Sequence, residues 1–202
     1  MRKAMLGLIA SVIVLLSFSS GGFAMTYNAG ADFSLAQNPN GVWAYGWMER
    51  SYNNLGGFNL FTRSDPATNS WGHSSAISFG SGLQLVAGWG EAAVLRFTAP
   101  VSGGYSFSGV FDGAAFSDVG ILQGTSWIWQ GPFATLRPFS FSDYFISKGE
   151  SIDFIVSRTS LSKVKLDLSI STPASPVPVP AAALLFITGL LGVAGARARS
   201  KR

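Results

Sequence analysis

AAVLRFTAPVSGGYSFSGVF, residues 92–111, shows the pattern that decides the fold class of this chain. On both sides of a turn rich in Pro and Gly, every second residue is apolar or Gly, as expected if alternate side chains point to one face of a strand. The predicted inward-facing residues are Ala93, Leu95 and Phe97 before the turn and Tyr105, Phe107, Gly109 and Phe111 after it. Alternation with a period of two is typical of half-buried β-strands. Two such strands joined by the turn at residues 99–104 predict a β-hairpin.

Similar alternation recurs along residues 25–171, between turns rich in Gly, Ser and Asn. The clearest apolar row is Val164, Leu166, Leu168 and Ile170. No stretch of this region keeps the 3.6-residue period of a helix without interruption. Residues 53–57 predict a turn, and the polar segment 62–75 predicts a surface loop. The region therefore predicts a single all-β domain built as an antiparallel β-sandwich.

The first 24 residues have the parts of a secretory signal peptide. Arg2 and Lys3 precede an apolar run, and Gly22-Phe23-Ala24 places small residues before Met25. We therefore expect export of the chain, with cleavage between Ala24 and Met25. The chain has no Cys, so packing and not a disulfide framework must stabilise the exported domain.

The net charge of +4 and the pI of about 9.6 come from the two ends of the chain. Two of the 14 Lys and Arg lie in the leader and four in the last six residues, which leaves eight against ten acidic residues in between. A mildly acidic domain has no electrostatic footprint for a phosphate backbone. The sequence therefore predicts no nucleic-acid partner.

Residues 172–202 form three parts with different physical properties. Recurrent Pro as far as Pro180 predicts an extended linker. Residues 180–196 are uncharged and mostly apolar, and they predict a short transmembrane helix. The basic residues that follow are Arg197, Arg199, Lys201 and Arg202. By the positive-inside rule they place the C-terminus in the cytoplasm.

The tail resembles a known sorting signal. Val177-Pro178-Val179-Pro180-Ala181, the Gly-containing apolar segment and the Arg cluster are similar to the VPLPA variant of the PEP-CTERM signal, in which Leu is more usual at the position of Val179. The resemblance implies a surface or secreted protein of a Gram-negative bacterium, first held in the inner membrane and then processed by an exosortase, a transpeptidase-like membrane enzyme.

The interior also resembles a β-rich ectodomain that recurs in PEP-CTERM proteins. The segments that carry this resemblance are 32–34, 38–47, 94–106 and 149–156. It implies a jelly-roll sandwich similar to carbohydrate-binding modules, and its motifs are structural and not catalytic. The implied organisation is a signal peptide at 1–24, a sandwich ectodomain at 25–171 and the sorting tail at 172–202.

The chain offers few residues for catalysis. With no Cys and one His, thiol catalysis and a histidine-based metal cluster are excluded, and we predict no catalytic residue, cofactor or metal. His73 lies in a polar segment without a nucleophile elbow, so we expect a loop histidine and not part of a Ser–His–Asp triad. Six acids stay open as members of a glycosidase-type carboxylate pair: Glu49, Glu91, Asp112, Asp118, Asp143 and Glu150. Ca²⁺ held by Asp112 and Asp118 also stays open, although their spacing matches no loop motif.

The six Trp residues are a high load for a domain of this size. Trp43 and Trp47 share one face of a predicted strand, which favours a place in the core. Trp71, Trp127 and Trp129 lie near predicted loops or short strands and are the candidate platform for a glycan. Trp127 and Trp129 are expected on the same face because they are two residues apart.

These patterns predict an exported, non-enzymatic surface or matrix protein associated with exopolysaccharide or biofilm. Two alternatives stay open. One is a secreted polysaccharide-active enzyme, and the other is a membrane-anchored adhesin whose tail is never cleaved.

Overall fold

Two antiparallel β-sheets face each other in the computed structural model, which describes residues 24–51, 54–132, 134–157 and 162–172. The strands of the described residues are β1 (Thr26–Asn28), β2 (Trp43–Ser51), β3 (Asn54–Leu60), β4 (Arg63–Asp65), β5 (Ser70–His73), β6 (Ala76–Phe79), β7 (Gln84–Val86), β8 (Glu91–Thr98), β9 (Gly103–Asp112), β10 (Asp118–Gln123), β11 (Ser126–Gln130), β12 (Leu136–Ile146), β13 (Ser151–Ser157) and β14 (Val164–Ser171). The prediction of an all-β antiparallel sandwich is confirmed.

The strand order is that of a jelly roll. The eight-stranded sheet runs β12-β9-β14-β7-β6-β5-β4, with β1 also paired to β14, and the six-stranded sheet runs β11-β10-β13-β8-β2-β3. From β7 to β14 the chain changes sheet at every connection except the β10–β11 hairpin. Within these sheets β7-β14-β9-β12 faces β8-β13-β10-β11, which is the arrangement of eight strands in a jelly roll.

The predicted hairpin of residues 92–111 is wrong. Strand β8 pairs with β2 and β13 in one sheet, whereas β9 pairs with β12 and β14 in the other. Both edges of each strand are therefore occupied, and residues 99–102 carry the chain from one sheet to the other. The Tyr105 hydroxyl fixes this crossing by donating a hydrogen bond to the Val101 carbonyl at 2.6 Å. Alternation identified the buried faces correctly but did not identify the pairing partner.

Aromatic and aliphatic side chains from both inner faces form the core. The row predicted in β14 is confirmed, because Val164, Leu166, Leu168 and Ile170 are each at most 1% exposed. Burying each such side chain contributes about 1.5–3 kcal/mol relative to exposure. Trp43 and Tyr45 are also buried and Trp47 is partly buried against the same cluster, as the pattern favoured.

Two segments predicted to be irregular contain strands. Residues 62–75, predicted to form a surface loop, contain β4 and β5, with Trp71 buried in the core. Of the predicted turn at 53–57, residues 54–57 lie in β3, where the pairing with β2 shifts register between Met48 and Arg50. The extra residue at such a bulge allows a glycine-rich segment to stay in the sheet.

The register defines two ends of the sandwich. At the first, called here the Trp89 end, β8 begins at Glu91 and β9 ends at Asp112, beside the start of β12 at Leu136. At the second, called the Thr172 end, β8 ends at Thr98, β9 begins at Gly103 and β14 finishes. Here the Met25 backbone N–H donates to Thr172 Oγ1 at 2.9 Å, and the Thr172 N–H donates to the Met25 carbonyl at 2.8 Å.

The predicted leader, transmembrane helix, sorting motif and basic C-terminal residues lie outside the described residues, except for Ala24. Within the described ranges, no helix has the length and apolar character needed to span a bilayer.

Candidate functional site

A single tryptophan projects from the Trp89 end of the sandwich. Trp89 lies in the turn between β7 and β8 and is 87% exposed. Gly88 and Glu91 close this turn through backbone hydrogen bonds of 3.0 and 3.4 Å, and the Trp89 N–H donates to Ser75 Oγ at 3.0 Å. The backbone of the turn is therefore fixed, while the indole remains in water.

Two glycines make this turn possible. Gly90 has a φ of +72°, a conformation that residues with a Cβ rarely adopt. A Cβ on Gly88 would lie 2.0 Å from Ser75 Oγ, so no side chain fits there. The sequence Gly-Trp-Gly thus presents one large aromatic ring between two glycines. The first leaves room for Ser75, and the second adopts a backbone conformation that favours glycine.

A histidine, a carboxylate and a second indole lie at the same end. Glu91 is the residue after the turn, and its Oε1 is 3.1 Å from His73 Nδ1. Its Oε2 accepts the Ala76 N–H at 3.1 Å. The His73 ring stacks on the Trp47 indole, with centroids 4.1 Å apart and planes within 2° of parallel. We refer to Trp47, His73, Ser75, Trp89 and Glu91 as the Trp89 cluster.

The cluster joins the two sheets because its members come from both. Trp47 and Glu91 lie on β2 and β8 of the six-stranded sheet, whereas His73 lies at the end of β5 in the eight-stranded sheet. The His73 side chain is 43% exposed and that of Glu91 is 12% exposed. The stack on Trp47 and the hydrogen bond to Glu91 therefore hold a half-exposed imidazole near the surface, with its position fixed from both sheets.

A concavity of about 250 Å³ adjoins His73 on the eight-stranded sheet. Its lining is mixed, with the polar residues Arg63, Asp65 and Thr68 and the apolar residues Ile77 and Phe79. Hydrogen bonds from the Thr68 hydroxyl and the Ala67 backbone lower the pKa of Asp65, which keeps that carboxylate charged. A mixed polar and apolar lining of this kind suits a hydroxyl-rich ligand.

A second, more open groove of about 670 Å³ crosses the outer face of the six-stranded sheet. Arg96 in its floor donates from Nε and Nη2 to the two oxygens of Asp153, both at 2.7 Å. The same guanidinium lies 3.9 Å from the centroid of the Phe58 ring. The Arg96 side chain is 29% exposed and that of Asp153 is 2% exposed, so this ion pair is part of the sheet's own structure.

The three predicted platform residues lie in three different environments. Trp71 is buried, and its Nε1–H donates to the Ser34 carbonyl at 2.8 Å, so it offers no platform at the surface. Trp129 packs inward, with its ring stacked on Phe111 at 5.9 Å. Trp127 is 41% exposed and is the one of the three that presents its ring to solvent.

Trp127 and Trp129 do not share a face. In the pairing of β10 with β11, Ile121 lies opposite Trp129 but Leu122 lies opposite Trp127, so Ile128 is an extra residue. A bulge of one residue reverses the side on which the following side chains lie. Trp127 therefore lies over Gly120 on the outer face, whereas Trp129 contributes to the core.

The structure brings two of the six candidate acids together. Glu49 and Glu91 are directly paired across β2 and β8, and residues opposite each other in an antiparallel pair have Cβ atoms about 4.5–5.5 Å apart. Glu150 instead accepts the Ser147 N–H at 2.8 Å, in the turn before β13. Asp143 lies in β12 with a φ of +54°, and Asp112 and Asp118 lie in β9 and β10. Among the described residues, no group of three or more His, Asp or Glu is placed to hold a metal ion.

Comparison with known proteins gives matches to structures alone. No protein-family model and no curated protein matches the sequence. A family 35 carbohydrate-binding module from Clostridium thermocellum matches with 10% identity and a TM-score of 0.33, over 75% of this chain and 99% of that one. A family 35 module from Cellvibrio japonicus gives 15% identity and a TM-score of 0.32, over 75% and 94%. The N-terminal cellulose-binding domain of a Cellulomonas fimi β-1,4-glucanase gives 12% and 0.29, over 75% and 96%. Scores this low carry no argument about ligand or activity.

Sequence reasoning missed Trp89, which is the most exposed large apolar residue of the described chain. A signal was present, because a Trp between two Gly residues in a short connection is not part of an alternating strand. The prediction of His73 as a loop residue is also corrected, since it ends β5 and is held by Glu91 and Trp47.

Proposed function

We propose that this chain is an exported, non-enzymatic surface or matrix protein that binds polysaccharide through the Trp89 cluster. The observation that carries the proposal is the exposed indole of Trp89, held away from the core by a turn that excludes neighbouring side chains. Burial of Trp89 would be the favourable outcome for folding alone, because large apolar rings gain by leaving water. A ring kept in water at the end of the sandwich that also holds His73 and Glu91 is suited to stack on a sugar while polar groups contact its hydroxyls.

Substitution of Trp89 tests the proposal, with Trp127 as a matched control. The full chain and its Trp89→Ala and Trp127→Ala variants are compared for binding to extracted matrix polysaccharide, by pull-down and by affinity electrophoresis. Loss of one aromatic stacking contact of about 1.5 kcal/mol predicts roughly tenfold weaker binding for Trp89→Ala. Trp127→Ala should retain wild-type binding. Equal binding by Trp89→Ala and wild type would refute the assignment of this site.

The tail supplies the proposed destination. Its resemblance to the PEP-CTERM signal supports retention in the inner membrane with the C-terminus cytoplasmic, processing by an exosortase near Val177–Ala181, and release to the surface or exterior. Mass spectrometry of the mature protein tests this step. A C-terminus upstream of Arg197 is expected, together with an N-terminus at Met25. A mature protein that still ends at Arg202 would instead support the uncleaved adhesin.

A secreted polysaccharide-active enzyme is the second candidate, and the register of Glu49 and Glu91 favours it. Their Cβ spacing of about 4.5–5.5 Å would allow the two carboxyl groups to reach the separation of about 5–5.5 Å found in retaining glycosidases. Against this role, both oxygens of Glu91 already have partners in His73 and the Ala76 backbone. Reducing-end release by wild type that Glu49→Gln abolishes would establish the enzyme, and its absence alongside polysaccharide binding would support the non-enzymatic role.

A further inference from the structure

A fully buried arginine lies at the Trp89 end with most of its donors unpaired. Arg137 is the second residue of β12 and is 0% exposed. Its Nη1 donates to the Ser117 carbonyl at 2.7 Å, but within the described residues Nε and Nη2 have no hydrogen-bond partner. The hydroxyl of Ser117, itself 3% exposed, is also buried without a partner there.

This arrangement is costly for the protein alone. Arginine stays protonated in proteins, so the buried group is a cation. Burial lowers the pKa of Arg137, and the charge of Asp112 on β9 opposes that decrease. Asp112 is exposed and forms no ion pair with Arg137 in the described structure. A buried charge without a counter-ion is strongly unfavourable, and an anion beside it would restore the balance.

Arg96 in the same molecule shows what the Nε and Nη2 atoms of an arginine can bind. Arg96 uses its Nε and Nη2 to hold both oxygens of the Asp153 carboxylate at 2.7 Å. These are the same two atoms that are unpaired in Arg137. Their parallel N–H bonds match the two oxygens of a carboxylate better than they match a single spherical anion.

The loop of residues 113–117 contacts Arg137 through the Ser117 carbonyl. Phe116 in the β9–β10 loop and Leu136 beside Arg137 are each 59% exposed, so neither side chain is packed into the core. The loop of residues 113–117 is closed by the backbone hydrogen bond of 3.0 Å from Ser117 to Ala114. Ser117 ends this loop and its carbonyl accepts the hydrogen bond from Arg137 Nη1, so displacement of the loop would free a further donor of the guanidinium.

We propose that Arg137, contacted by the loop of residues 113–117, is a carboxylate-binding site that takes either a small free carboxylate or the carboxylate of an acidic sugar. The Nε and Nη2 edge holds the two oxygens, and the Ser117 hydroxyl donates a further hydrogen bond. The site is separate from Trp89, so it stands or falls independently of the proposed function.

Thermal melting of the full chain, purified in mild detergent, tests the site. Sodium acetate, sodium glucuronate, neutral glucose and sodium chloride are titrated, with ionic strength held constant between the salts. Acetate and glucuronate should raise the Tm by about 3–6 °C at ten times their Kd, whereas chloride and glucose should not. Glucuronate acting at lower concentration than acetate would identify an acidic sugar as the ligand, and equal potency would identify a free carboxylate.

Variants and a local probe separate specific binding from a general salt effect. Arg137→Met should lose the response to carboxylate, and Arg137→Lys should lose most of it because an ammonium lacks the two-donor edge. The Nε–H signal of Arg137 in NMR spectra should shift on addition of acetate, with that of Arg96 unchanged as the internal reference. Even if the variants fail to fold, a wild-type Tm and an Arg137 signal that respond equally to acetate and chloride would overturn the proposal.

Discussion

Breaking the ion pair between Arg96 and Asp153 should destabilise the domain severely, and removing both partners should not. The two residues are directly opposite each other on β8 and β13, and the Asp153 side chain is 2% exposed. Arg96→Met therefore leaves a carboxylate buried and unpaired in the sheet. Loss of one partner of a buried pair costs about 3–5 kcal/mol. Stability of a domain of this size totals about 5–15 kcal/mol, so the loss is a large fraction of it.

The measurement is a double-mutant cycle followed by thermal and urea denaturation. At about 2–4 °C per kcal/mol, Arg96→Met should lower the Tm by about 6–20 °C. The double variant Arg96→Met/Asp153→Leu should recover most of this loss, because an apolar pair of similar volume avoids the desolvation of both charges. Arg63→Met is the control, since Arg63 lies exposed on the short strand β4, and it should change stability by less than about 0.5 kcal/mol.

Two outcomes would refute this reasoning. The first is an Arg96→Met variant within about 1 kcal/mol of wild type, which would mean that Asp153 is well solvated or re-paired. The second is a double variant no more stable than Arg96→Met, which would mean that the contact of the Arg96 guanidinium with the Phe58 ring, and not charge pairing, stabilises this face.

Three further substitutions test the fold. Burial raises the pKa of Tyr45, and the nearby Ser34 backbone only partly opposes that rise. The unfolded chain releases the Tyr45 proton near pH 10 while the folded chain keeps it, so the free energy of unfolding should fall above about pH 10. Tyr45→Phe should be as stable as wild type at pH 7 and should show a smaller fall. Thermal melts from pH 7 to 11 measure this difference. Leu166→Asp should abolish folding or soluble yield, and normal cooperative melting would contradict the assigned register. Gly46→Ala places a Cβ 2.3 Å from the Asn59 carbonyl and should cost about 1–3 kcal/mol in urea denaturation, whereas Gly57→Ala meets nothing within 4 Å and should cost much less.

The sequence predicted which residues are buried better than it predicted which strands pair. The alternation in β14 arises because one face of the strand packs against the core and the other faces solvent. A pattern with a period of two therefore shows directly which side chains are buried. The partner of β8 depends instead on segments far along the chain, because β2 and β13 flank it. A short Pro- and Gly-rich connection fits a hairpin within one sheet and a crossing between two sheets equally well.

The candidate site was harder to predict because single residues decide it. One extra residue at Ile128 separates the faces of Trp127 and Trp129, and spacing alone cannot reveal a bulge. Trp71 was predicted to lie in a loop because its neighbours are polar, yet it lies in β5 with its ring in the core. His73 and Glu91 are 18 residues apart, and only the packing of the two sheets brings them together.

The two proposed sites lie at one end of the sandwich, and the termini of the described domain lie at the other. Trp47, Ala93, Val156 and Val119 form one row across β2, β8, β13 and β10, and they link the Trp89 cluster to the neighbourhood of Arg137. Three strand spacings of about 4.8 Å separate the ends of this row by about 14 Å, so the two proposed sites are distinct places at the same end of the sandwich.

The chain enters and leaves the domain at the other end. Met25 and Thr172 are hydrogen-bonded to each other at the Thr172 end, and β14 covers six residue steps between Lys165 at the Trp89 end and Ser171. At about 3.4 Å per residue, this places the exit of the chain about 20 Å from the row that connects the two sites. Both termini of the described domain therefore lie at the end of the sandwich opposite Trp89.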